Sequence, residues 1–230
     1  MRYEKKYTFS GLFLDEMRDA IFNSSFIFNE AFPIRRVNSI YFDNSNLDGL
    51  NSNLSGISNR SKARLRWYSD KDDYFYDQDT EFNLEIKLRK NFLGDKIVES
   101  IKLPKDIMNN PGINLINYLI NKMPNNVKPY LSPSTELSLG VSYEREYYQS
   151  NLFDLRCTLD SNLRYIDLSN EGSIEALFNN HSYDMEYCVI EMKYDHEAAR
   201  LIENGSMDLF PLLRSGRHSK YVVGRSLISK

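Results

Sequence analysis

Three segments of the chain place a glutamate two residues ahead of a lysine: Glu4 and Lys6, Glu85 and Lys87, Glu191 and Lys193. The same spacing links Lys62, Arg64 and Arg66, then Ser100 and Lys102, then Arg156, Thr158 and Asp160. In extended chain, side chains two residues apart share a face. Each segment therefore gathers its charges on one side. Guanidinium groups grip phosphate oxygens in pairs, and ammonium groups act as mobile point charges. The glutamates offer hard oxygens suited to Mg²⁺ or Mn²⁺. That chemistry is the gripping of an anion. The sequence holds no GxxxxGK[ST] phosphate loop, HExxH, GxSxG or CxxC to suggest another kind.

The elements that must carry these charges are strands. Alternation of polar and apolar residues predicts strands over residues 3–9, 36–43, 62–69, 81–90, 96–103, 136–148, 152–167 and 185–194. Helical spacing appears over 13–22, 46–54 and 105–123, the last broken at Pro111-Gly112, and again near Leu201, Leu209, Leu212, Leu213 and Tyr221-Val222-Val223. Asn91 to Asp95 reads as a hairpin loop. Eight strands with few helices between them predict a mainly β fold, an eight-stranded antiparallel barrel with flanking and C-terminal helices, in one domain over 1–230.

Opposite the charges stand Ala63, Leu65 and Trp67, then Leu84, Ile86 and Leu88, then Leu155, Cys157 and Leu159, then Cys188, Ile190 and Met192. Ordinary half-buried strands with solvated charges outside would show one such face. Repetition over six strands, rich in Arg and Lys, favours the reverse: apolar faces outward against helices, charges lining a bore. So many cations repel one another in a low dielectric unless a polyanion or water fills the space. The three glutamates relieve part of that repulsion.

Composition agrees with local clustering and nothing broader. Of 230 residues, 41% are hydrophobic, with 16 Tyr and 13 Phe, which suits strands. The formal net charge of −3 speaks against a general surface for nucleic acid or anionic lipid. Cys157 and Cys188 lack metal spacing and read as free thiols in a reducing compartment. No apolar run approaches a membrane span, and MRYEKKYTF has no signal-peptide core, so the expectation is a soluble cytoplasmic protein. His181, His196 and His218 read as surface residues, His218 being notable only beside Ser219-Lys220.

The motifs YEKKY, VNSIYFDNSNLDGL, KARLRWY, LEIKLRK, VSYEREYY, RCTLDSNLRY, VIEMKYD and HSKYVVG, in this order over nearly the whole chain, resemble the polyphosphate polymerase (VTC) domain of the CYTH-like triphosphate tunnel metalloenzyme superfamily. The resemblance implies a tunnel that takes a nucleoside triphosphate, with Mn²⁺ or Mg²⁺, and passes its terminal phosphoryl group to a growing polyphosphate chain. Residue by residue it implies phosphate-handling roles for Lys6, Arg64, Arg66, Lys87, Lys102, Arg145, Arg156 and Lys220. Ser219 would bind substrate beside Lys220, with Lys62 and Lys193 on the right faces to assist. Glu191 would hold the metal, with Glu4 and Glu85 as weaker candidates. A triphosphatase of the same architecture and a non-catalytic polyphosphate binder are the alternatives. Nothing in the 230 residues matches the family's SPX-type regulatory domain or membrane segment, so translocation would need a separate membrane partner.

Overall fold

The structure, a computed structural model, describes residues 3–70, 76–77, 79–90, 93–108, 112–169, 174–204, 210 and 213–228. Among them are nine strands, hydrogen-bonded in the order β1-β9-β7-β6-β2-β3-β4-β5 with β8 added to β7. The pairs β1/β9, β7/β9, β3/β4 and β4/β5 are antiparallel. All eight expected strands are present. The ninth, β8 (Ser182–Asp184), is three residues long. The chain divides into two compact units, one of residues 1–36, 143–163 and 184–218, the other of 37–142, 164–183 and 219–230.

The first unit contains β1 (Tyr3–Ser10), α1 (Leu14–Phe22), β9 (Tyr187–Tyr194) and α7 (His196–Glu203), with parts of β2 (Phe28–Asp43), β6 (Glu136–Ser150) and β7 (Arg156–Asp167). Its core joins Tyr7 and Phe9 of β1, Cys157 and Leu159 of β7, and Ile190 and Met192 of β9 to Ile21 of α1 and Ala198 and Ala199 of α7. The apolar face of these strands is thus the one the helices cover. Asp195 caps α7 by accepting the Ala198 N–H at 2.9 Å. Cys157 and Cys188 are free thiols of this core, and burial pushes both up, Cys188 to about 11.

The second unit contains α2 (Asp48–Leu54), β3 (Asn59–Ser69), β4 (Phe82–Lys90), β5 (Leu93–Ile101), α3 (Lys105–Met108), α4 (Gly112–Lys122), α5 (Lys128–Leu131), α6 (Ala176–Asn179) and α8 (Lys220–Ile228), with the remaining parts of β2, β6 and β7. Ala63, Leu65 and Trp67 pack with Leu84, Ile86 and Leu88 against Leu115, Ile116 and Leu119 of α4 and Leu131 of α5. Trp67 is fully buried, its ring 5.3 Å from that of Phe82. Here too the charged side of the strands faces away from the helices of that core, α4 and α5. The C-terminal helix α8 lies close on the sheet because Gly224 has no side chain: a Cβ there would stand 2.6 Å from Tyr165 and 2.7 Å from Leu139. Arg225 fastens the same helix through Asp167 at 2.7 Å.

Several boundaries differ from the sequence expectation. β2 begins at Phe28, eight residues before the expected Arg36; residues 29–34 are exposed on both faces and interrupted by Pro33, so no alternation marks them as strand. The β4/β5 ladder runs on to Lys90 opposite Leu93, so the hairpin is tighter than an Asn91–Asp95 loop. Asn91 and Phe92 lie outside the described residues, as do Pro111 in the expected helix break and Leu209 and Leu212 near the C-terminus. No helix among the described residues is long and apolar enough to cross a membrane.

Candidate functional site

In the first unit, antiparallel pairing turns two glutamate–lysine motifs into a square of alternating charge. The register sets Lys6 opposite Glu191 and Glu4 opposite Lys193. Lys6 Nζ lies 3.1 Å from Glu4 Oε1 and 3.3 Å from Glu191 Oε2, and also donates to the His218 carbonyl at 3.3 Å. Lys193 Nζ stands 2.6 Å from the other Glu191 oxygen. Burial alone would raise the Glu191 carboxyl, but Lys6, Lys193 and Arg145 hold it well below the usual carboxylate range. Burial opposes the charge on Lys6, while Glu191 and Glu4 more than restore it.

Strand β7 extends this cluster, placing Thr158 opposite Glu191 and Arg156 opposite Lys193. Arg145 on β6 grips the fully buried Asp160 with two bonds, of 2.6 and 2.7 Å, and its guanidinium lies 5.1 Å from the Tyr143 ring centre. Burial works against that charge, and Asp160 outweighs it. Arg156 is more exposed and stands 3.7 Å from Asp154.

In the second unit the cations form rungs across three strands. Lys62, Lys87 and Lys96 sit abreast on β3, β4 and β5, next to a rung of Arg64, Glu85 and Val98, then one of Arg66, Asn83 and Ser100. Glu85 anchors the group. Its oxygens lie 2.5 Å from Arg64 Nη2, 2.7 Å from Lys96 Nζ and 3.5 Å from Arg66 Nη1. Burial would raise its carboxyl, yet Arg64, Arg66 and Lys96 lower it to about 2. Lys62 donates to Ser219 Oγ at 2.9 Å and stands 5.3 Å from the centre of the Tyr221 ring.

Ser219 precedes α8, and Lys220 is that helix's first residue, so Ser219 of the predicted Ser-Lys pair meets Lys62 at a helix start. Lys87 is exposed in the middle of its lysine rung, and Lys102 is exposed just beyond the end of β5. Glu4, Lys6, Glu191, Lys193 and Arg145 therefore come together in one unit, and Lys62, Arg64, Arg66, Glu85, Lys87 and Ser219 in the other.

Sequence reasoning gives no site role to Lys96, Tyr41, Asp160 and Tyr221. Lys96 becomes visible once the hairpin register is known, because it then falls beside Lys87. Asp160 shares the face of Arg156, a signal present in the alternation. Tyr41 gives no such signal, since Val37 to Asp43 are buried whichever way they point.

The sequence profile of the VTC domain matches residues 2–228. The chain belongs to the VTC domain family. That bears out the resemblance carried by its motifs, and the VTC match takes in the residues of both clusters. Two solved structures resemble the VTC chain in fold at 14% identity each. One is the PH1819 protein of Pyrococcus horikoshii OT3, with a TM-score of 0.52 and 100% of both chains covered. The other is HpAC1 of Hippeastrum, a putative adenylyl cyclase with a dominant triphosphatase activity; it aligns with a TM-score of 0.53 over 98% of this chain and 96% of its own. No curated protein matches the chain.

Proposed function

We propose that this VTC domain is a polyphosphate polymerase, transferring the terminal phosphoryl group of a nucleoside triphosphate to a growing polyphosphate chain, with its two units working as one domain. The observation that carries the reading is the gathering of arginines and lysines around the buried Glu85 and the half-buried Glu191, on strand faces within the matched family span. Phosphoryl transfer passes through a loose transition state, so positioning and charge stabilisation supply most of the catalysis. Arg64 and Arg66, oriented by Glu85, grip phosphate oxygens, and Lys62, Lys87 and Lys96 spread positive charge beside them. Lys6, Lys193 and Arg145 do the same in the first unit. The accepting phosphate is already ionised, so no general base is needed.

The family also implies a divalent cation. Among the described residues no three His, Cys, Asp or Glu side chains group to hold a metal unaided. Glu4 and Glu191 do converge on one ammonium, and Mg²⁺ is commonly held by one or two carboxylates plus substrate phosphates. These two residues fit an ion completed by the substrate. Glu85, with both oxygens taken up by three cations, fits a role in orienting the arginines. Bound there, Mn²⁺ or Mg²⁺ would supply Lewis-acid polarisation of phosphate oxygens. Glu191→Gln is expected to raise the Mn²⁺ concentration giving half-maximal rate by about tenfold or more. An unchanged metal requirement in a variant that melts normally removes Glu191 from that role.

The decisive assay incubates the purified chain with ATP and Mn²⁺ and resolves the products on a gel stained for polyphosphate. Long chains are expected. Free phosphate alone would make the protein a triphosphatase, and neither product would make it a polyphosphate binder.

A further inference from the structure

Tyr41 lies on β2 with 5% of its surface exposed, yet its hydroxyl meets a charged group: Arg64 Nη1 donates to it at 2.9 Å. Arg64 is thereby held from two sides, by Glu85 through Nε and Nη2 and by Tyr41 through Nη1. The Tyr41 ring stacks on that of Tyr221, with centres 5.2 Å apart and planes 28° apart. Tyr221 in turn donates its hydroxyl to Asp43. Two stacked phenols thus lie beneath the cations, one holding Arg64 and the other lying under Lys62.

We propose that Tyr41 is a positioning residue, which fixes the Arg64 guanidinium for phosphate and adjusts the net charge of the cluster around it. This inference rests on the reading of that cluster as a phosphate site. The groups facing the Tyr41 hydroxyl are Lys62, Arg64 and Arg66 on β3, with Glu85 on β4 bound to both arginines; Tyr221 on α8 and Asp43 on β2 flank the ring. Burial favours the neutral phenol, but Arg64, Lys62 and Arg66 bring it down to about 8. Burial and the Asp43 carboxylate push Tyr221 upward, so it stays neutral. Below about pH 8 the neutral Tyr41 leaves the cations at full strength. Above it the phenolate cancels one positive charge and weakens the grip on a polyanion.

The test uses the intact chain and tripolyphosphate as probe. At neutral pH, Tyr41→Phe keeps the stacked ring and is expected to weaken calorimetric binding about tenfold. From about pH 7 to 9 the affinity of the wild type should fall relative to that of the variant, a comparison that cancels the ligand's own ionisation. In an Arg64→Ala background the added Tyr41→Phe change should have no further effect. Equal affinity and equal pH dependence would overturn the inference.

Wild-type near-ultraviolet absorbance gives a check that needs no variant. Near pH 8.5 a tyrosinate signal should be present and should vanish when tripolyphosphate is added; its absence, or its persistence on binding, also overturns the inference. Polyphosphate synthesis is scored separately. A chain that makes polyphosphate but titrates like Tyr41→Phe refutes the role of Tyr41 alone. One that makes none yet shows the predicted difference refutes only the polymerase.

Discussion

Replacing Arg64 and Arg66 together by alanine is expected to reduce polyphosphate synthesis at least about a thousandfold while the chain still folds. Arginines that stabilise charge in phosphoryl transfer contribute on that scale. The fold should survive because the two side chains occupy the charged face of β3, whereas Ala63, Leu65 and Trp67 on the other face carry the packing. Lys96 remains at 2.7 Å to neutralise Glu85. The measurement is initial rate by polyphosphate formation, with a thermal melt as control. Near wild-type turnover in a folded protein would remove both residues from the site.

The second large effect concerns stability. Glu85→Ala leaves Arg64, Arg66 and Lys96 without their shared counter-ion in a place where Arg66 is itself buried. Removing one partner from a buried ion cluster typically costs about 3–5 kcal/mol. Urea unfolding should show a loss of that order, and saturating tripolyphosphate should restore part of it by supplying negative charge to the same cations. The wild type should show a matching acid sensitivity. Because the folded state holds Glu85 at about 2, its contribution is complete above the unfolded value near 4.5 and declines as the pH drops from there towards 2. A variant as stable as the wild type, indifferent to tripolyphosphate, would show that the cations need no central carboxylate.

The alternation in KARLRW and LEIKLR was readable because one face of β3 and β4 is apolar and packs on α4 and α5 while the other carries the charges, which fixes the parity of every residue. Arg64, Arg66, Glu85 and Lys87 followed directly, as did Glu4, Lys6, Glu191 and Lys193 in the first unit. Parity does not give register. The pairing of Glu4 with Lys193, of Lys6 with Glu191, and of Lys96 with Lys87 depends on which rungs align, and only the fold supplies that. Where both faces are buried, as from Val37 to Asp43, alternation disappears and Tyr41 looks like any core aromatic. The start of β2 was hidden for the opposite reason: residues 29–34 are exposed on both faces.

The YFDNSNLDGL motif ties two helices to one carboxylate. Asp43 accepts the Gly49 N–H at 2.9 Å and the Leu50 N–H at 3.1 Å, fastening the first turn of α2, and it also receives the Tyr221 hydroxyl of α8. A side chain at Gly49 would press on this carboxylate at 3.0 Å. A single acid therefore latches two helices more than 160 residues apart in the chain. Removing that carboxylate is therefore expected to loosen α2 and the C-terminal helix together.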